Sequence, residues 1–202
     1  MSHTTGYEVD TIRLSSPLIR SIAVLGFAAA LVFGLVTAGS AQEVPAEVVT
    51  FDVKPKTCPN PIQPDSGGNI SAAIMGTTVF DVTGIDPLSL FLTVEGPVAV
   101  DDPIRVTPRS VKVVDVGRPF PREDALDCQK GNKDRIDDLL VQFETEGDDG
   151  VGAAVEEAFG GRCDEGDVMT LTVHGTLNDG TTAIVGEDFG ICVDTEPGPK
   201  PF

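Results

Sequence analysis

From Gln42 onward the chain is built of short apolar-polar alternations, interrupted every several positions by glycine or proline. Val49, Phe51 and Val53 share one face of an expected first strand, with Thr50 and Asp52 opposite. Ile70–Met75 is a short apolar run that Gly76 ends. Val79–Val82 and Leu88–Val94 are strand candidates on either side of the turn-rich TGIDP. Ser110–Val116 alternates again, and Leu139, Val141 and Phe143 continue the pattern after an acidic stretch. Val168–Val173, with Met169, Leu171 and Val173 on one side, leads into the hairpin signal Asn178-Asp179-Gly180. Thr182–Val185 and Phe189–Val193 form the return strand, with Gly186 expected as a bulge.

Val151–Phe159 (VGAAVEEAF) departs from this pattern. It is alanine-rich, preceded by Asp148 and Asp149 and followed by Gly160-Gly161, which predicts one short helix. About seven to nine short strands with turns at this spacing, plus one helix, indicate an all-β fold, an Ig-like or Greek-key β-sandwich. Residues 42–196 are expected to form a single domain and residues 197–202 (PGPKPF) a flexible tail.

The N-terminus has a different character. Arg13 and Arg20 precede the unbroken apolar run Ser21 to Val36, and the small residues Gly39-Ser40-Ala41 follow. That order of basic, apolar and small segments predicts a signal peptide over residues 1–41 with cleavage after Ala41. The run is shorter than the roughly 20 residues that cross a bilayer, which favours a cleaved signal over the alternative of an uncleaved signal anchor, and no membrane insertion is expected after cleavage.

Charge then narrows the partners. The net charge is −18, and the 1–41 segment carries two acids (Glu8, Asp10) and two bases (Arg13, Arg20), so its removal changes nothing. Such a surface repels nucleic acid and anionic membrane. There is no tryptophan, and the single tyrosine, Tyr7, lies in the leader. Carbohydrate binding, which commonly uses exposed aromatic faces, is correspondingly not expected.

All four cysteines, Cys58, Cys128, Cys163 and Cys192, fall after the leader, and an even count in an exported chain predicts two disulfides. Three pairings are open. The Asp179-Gly180 hairpin brings the region of Cys163 near residues 192–196, which favours Cys163–Cys192 and leaves Cys58–Cys128. A zinc site would need ligand spacings that are missing here, since no C-x-x-C pair exists and His174 is the only histidine after the leader.

The densest chemistry lies between Glu123 and Asp138 (EDALDCQKGNKDRIDD). Asp124, Asp127, Asn132, Asp134 and Asp138 are the candidate ligands of a Ca2+ ion, because clustered hard oxygens suit that cation. The alternative is a solvated acidic loop, partly neutralised by Arg122, Lys130, Lys133 and Arg135. The segment does not follow the EF-hand spacing, for Lys130 and Arg135 stand where an acid and a glycine would. His174 continues the face of Thr170 and Thr172 and is expected at the surface. No Gly-x-Ser-x-Gly elbow accompanies it, and no catalytic residue is assigned.

The segments VKPKTCPNPI (Val53–Ile62), MGTTVFDVTGIDPLSL (Met75–Leu90), EDALDC (Glu123–Cys128), DDLLVQF (Asp137–Phe143), GDVMTLTVHGTL (Gly166–Leu177) and IVGEDFGICV (Ile184–Val193) occur in this order. Together they resemble an uncharacterised β-sandwich module of secreted bacterial proteins. The resemblance implies a β-rich extracellular module without established enzymatic activity. This chain has KGNKDR where that module often carries a glycine between acids, and its Cys163 and Cys192 are additions to the usual pattern.

The expected function is therefore a secreted, non-enzymatic structural or interaction module at the cell exterior, with an extracellular or periplasmic location. It would be disulfide-bonded, calcium-stabilised, and engaged with a protein partner or with itself. The alternative is a subunit of an extracellular filament or surface layer that assembles by strand addition, with Glu43–Lys54 as donor. The rival from another class is an extracellular glycan hydrolase acting through a carboxylate pair.

Overall fold

The computed structural model describes residues 46–117, 123–127 and 132–193. The chain divides into Met1–Ala41 and Gln42–Phe202, and the fold described belongs to the second part. The expected signal peptide and C-terminal tail lie outside the described residues.

Among the described residues nine strands form two sheets: β1 (Glu47–Val48), β2 (Phe51–Val53), β3 (Pro61–Ile62), β4 (Asn69–Ile74), β5 (Phe91–Glu95), β6 (Pro108–Val114), β7 (Asp138–Glu144), β8 (Val168–Thr176) and β9 (Ala183–Cys192). One helix, α1 (Val151–Phe159), lies between β7 and β8. The first sheet runs β1-β9-β8-β5, with β3 also on β9, and the second runs β2-β4-β7-β6. Alternation places the inward residues of both sheets in one core, including Phe51, Val53, Ile74, Val141, Phe143, Leu92, Leu171 and Val173. Burying each such side chain contributes about 1.5–3 kcal/mol. The expected all-β sandwich with one short helix is the observed architecture.

The N-terminal strand is shared between the sheets. β1 runs parallel to β9, pairing Glu47 with Ile184 and Val48 with Val185. The Val49 amide still donates to Val185 O at 2.9 Å, but Thr50 O accepts from Met75 N of the other sheet. From Phe51 the chain is β2, antiparallel to β4. It returns to the first sheet as β3, again parallel to β9, with Pro61 opposite Ile191 and Ile62 opposite Cys192.

The hairpin appears where its turn signal lies. β8 and β9 pair from Thr176–Ala183 to Val168–Ile191. Asp179 organises the turn, its carboxylate accepting from Thr181 N, Thr182 N and Thr182 Oγ1 at 2.6–2.8 Å. These bonds, the Thr182 hydroxyl first, hold the Asp179 carboxyl down at about 2. The expected bulge at Gly186 is absent: Gly186 stays in register opposite Val173. Its glycine has a different cause, since a Cβ there would lie 2.8 Å from the backbone oxygen of Val49. The bare backbone lets the first strand cross over β9.

Val79–Val82 is not a strand. Thr77 Oγ1 accepts from Val79 N and Phe80 N, and Asp81 Oδ1 accepts from Thr83 N at the head of a 3-10 turn, Val82–Gly84. Local side-chain bonds satisfy the amides that a sheet would otherwise take. Helix α1 has the bounds its punctuation predicts. It ends at Gly160 in the left-handed conformation (φ 66°), with Gly161 N returning to Glu156 O. At its start, Asp148 and Asp149 supply no cap; Gly150 takes that position without a side-chain bond.

Candidate functional site

The acidic segment leads into β7, and the structure divides its carboxylates among separate tasks. Asp138, the first residue of β7, is fully buried. Its Oδ1 accepts from Gly76 N at 2.9 Å, and its Oδ2 accepts from Val116 N at 2.7 Å and Gly117 N at 3.1 Å. Burial pushes its carboxyl above the usual range, the three amide bonds oppose that, and the nearby charge of Asp134 adds to the rise. Asp138 thus ties the ends of β4 and β6 to the start of β7.

The other candidate ligands bind locally. Asp134 Oδ1 accepts from Ile136 N at 3.0 Å and Asp124 Oδ1 from Leu126 N at 2.7 Å, both short turns within the loop. Asp127 is half-buried, its amide on Asp124 O, and Asn132 is exposed. Asp115, which sequence reasoning did not single out, faces the same loop: its Oδ2 accepts from Arg135 N at 3.1 Å. Among the described residues its buried Oδ1 has no hydrogen-bond partner. Among the described residues, no group of three or more His, Cys, Asp or Glu side chains is arranged to hold a metal ion. Calcium takes six to eight oxygens, and both oxygens of Asp138 already serve backbone amides.

Cys163 and Cys192 form a disulfide with their Cα atoms 6.3 Å apart, as the hairpin geometry favours. It fastens the loop after α1 to the last residue of β9. Cys58 is also disulfide-bonded; Cys128, its expected partner, lies outside the described residues.

Two polar features of the fold had no signal in the pattern. Asp188 occupies an inward position of β9 and is 1% exposed. Its Oδ2 accepts from Val53 N at 2.7 Å and from Asn60 Nδ2 at 2.9 Å. Asn60, also buried, donates to Phe189 O at 2.8 Å as well, while its backbone oxygen accepts from Ile191 N. The Asn60 amide therefore continues the edge pairing of β9 through the gap between β1 and β3.

His174 does lie on the outer face of β8, but it is half-buried rather than free. Its ring stacks on Phe91 at 4.8 Å between centroids, Thr93 Oγ1 lies 3.1 Å from Nε2, and the Arg105 guanidinium sits over the Phe91 ring at 5.0 Å. Burial, then the charge of Arg105, lowers its pKa, against the opposing pull of Glu95 and Glu187.

A further accessible feature is β6. It ends the second sheet, and Val111 and Val113 line a cleft of about 340 Å³ beside it together with Val82, Ile85, Pro87 and Leu139. This cleft is open to solvent and is also bordered by Thr83, Asn178 and Lys112, and its apolar residues offer contact along the strand. No helix among the described residues is long and apolar enough to cross a membrane. Comparison with known protein families, curated proteins and solved structures finds no match to this chain.

Proposed function

We propose that the protein is a secreted, non-enzymatic structural or interaction module that works at the cell exterior or in another oxidising compartment. The observation that carries this reading is the Cys163–Cys192 disulfide, together with a bonded Cys58, in a chain whose residues 21–36 form a leader-like apolar run. Disulfides persist in oxidising compartments. The use of the buried carboxylates agrees with a structural role, for Asp138 and Asp188 both hold backbone amides. A carboxylate pair for glycan hydrolysis would instead face a cleft.

Calcium belongs to this proposal as an accessory. Since Asp138 is committed to the backbone, the ion would draw on Asp124, Asp127, Asn132 and Asp134. Its binding would order the surface of the loop and leave the core unaffected.

The test is expression of the full chain in a bacterial host, followed by fractionation and intact-mass measurement. The expected result is an exported protein that starts at Gln42 and has no free thiol. A protein retained in the cytoplasm at full length would refute the reading. Turnover on a panel of glycans would move the protein to the hydrolase class.

A further inference from the structure

We propose that the outer edge of β6 accepts, as an added strand, the segment Glu43–Val48 of a second copy of this chain. The inference rests on the interaction-module reading and names the partner.

Among the described residues the acceptor combines a strand edge without a neighbouring strand and an apolar slot. Among the described residues β6 has β7 on one side and no strand on the other. Its register shifts between Pro108 and Ser110, so Ser110–Val114 is the regular stretch. Val111 and Val113 stand opposite Val141 and Leu139 and so face inward. Yet Val113 remains 42% exposed, because the sandwich is open along this edge. Strand addition uses such a pair of features: backbone bonds supply affinity, and alternate side chains fill the slot.

Charge selects the kind of strand. Between Pro103 and Val114 the chain has three cations, Arg105, Arg109 and Lys112, and no acid, although the whole molecule is at −18. Arg109 is 3.0 Å from Glu144, while Lys112 is exposed on the face of β6 away from the core. Two β6 edges laid together would bring these cations face to face, which disfavours self-pairing of that edge. An acidic strand with alternating apolar residues fits.

Glu43-Val44-Pro45-Ala46-Glu47-Val48 has that pattern: Val44, Ala46 and Val48 on one face, Glu43, Pro45 and Glu47 on the other. The described part of it, Ala46–Val48, is held by the two-residue pairing of β1 with β9. β1 is two residues long with both side chains exposed, Val48 at 81%. The wider donor Glu43–Lys54 expected from sequence is not available, because Val49, Phe51 and Val53 are core residues of their own sandwich. With the backbone of Val44, Ala46 and Val48 turned to β6, Pro45 directs its missing N–H to the free side. There it discourages a third strand.

The test uses the full chain, oxidised, with two readouts. Sedimentation velocity over a range of concentrations should show reversible association that weakens with added salt. Carbodiimide treatment of mixed isotopically labelled and unlabelled protein should join Lys112 of one molecule to Glu43 or Glu47 of another. Lys112→Glu should weaken association at least about tenfold, corresponding to roughly 1.4 kcal/mol. The Glu43→Lys/Glu47→Lys variant should restore association when mixed with Lys112→Glu. Glu47 and Lys112 are exposed, and unchanged melting of each variant controls for folding. A monomer at every concentration, or association indifferent to Lys112→Glu with cross-links elsewhere, would overturn the inference. Either result leaves the export and thiol measurements above to decide the broader reading on their own.

Discussion

The side-chain amide of Asn60 lies 2.9 Å from the carboxylate of Asp188, and the same carboxylate holds the amide of Val53 at 2.7 Å. One buried acid therefore joins the last strand, the return of the first strand, and the opposite sheet. Asp188→Ala leaves Val53 N and part of the Asn60 amide unpaired inside the core, at a cost of about 2–4 kcal/mol. Urea unfolding should show that loss. A double-mutant cycle with Asn60→Ala should give a coupling of about 1–2 kcal/mol; additive effects would mean that the pair is not acting as a unit.

Asp138 makes a second prediction, with a pH signature. Asp138→Ala strands three amide donors and is expected to cost about 3 kcal/mol or more. Asp138→Asn keeps the shape but points an amide N–H2 at backbone N–H groups, so it should also destabilise. The sign of the pH dependence follows from the raised pKa. The folded state holds its proton more tightly than the unfolded state, so wild-type stability gains as pH falls through the folded value and reaches that gain in full below about 3.8. The advantage of wild type over Asp138→Asn should therefore widen on acidification. Melting curves of both proteins between pH 7 and pH 3 check this; a narrowing gap would contradict the direction of the shift.

Most of the architecture was legible because it depends on period-two burial. Phe51 and Val53 flank Asp52, Met169 and Leu171 flank Thr170, Leu139 and Val141 are likewise two apart, and each pair lies on the core side of its strand. The helix was legible from its C-terminal glycines. The misreadings share another origin. Val79–Val82 has strand composition, but Thr77 and Asp81 divert its amides into local turns. Gly186 reads as a bulge when seen along one strand, whereas its cause is the Val49 carbonyl more than a hundred positions earlier. The two-residue parallel strands β1 and β3 are too short for any periodicity to reveal. Of the acidic segment, its density was visible, but the assignment of Asp138 to Gly76, Val116 and Gly117 depends on three loops meeting in space.

The Cys163–Cys192 bridge closes a loop with a sequence separation of 29 residues. Replacing both cysteines by alanine should lower stability by about 3–4 kcal/mol through the greater freedom of the unfolded chain. The measured quantity is the urea midpoint of the oxidised double variant against wild type. An unchanged midpoint would show that α1 and β9 are held together well enough by packing alone.

His174 should titrate below its usual value, since burial and Arg105 both favour the neutral ring. For a histidine with a lowered folded pKa, the stabilising contribution is present above about 6.5 and is lost as pH falls through the folded value. Ring resonances followed by NMR should give a midpoint below 6.5. Arg105→Gln should raise that midpoint, and removing Glu95 or Glu187 should lower it further. A midpoint above 6.5 in wild type would assign dominance to the two glutamates.

The placement of β1 and β3 against β9 has a consequence for how the chain can be delivered. The beginning and the end of the domain sequence are neighbours on one sheet edge, and the Asn60–Asp188 link binds them. A machine that passes the polypeptide N-terminus first, whether a ribosome or a translocation channel, handles an incomplete sandwich until Cys192 emerges. Neither a truncation that removes β9 nor an intermediate stalled before it contains a finished sheet. Closure is thus the last event of the molecule's making, and it takes place wherever the final strand is released.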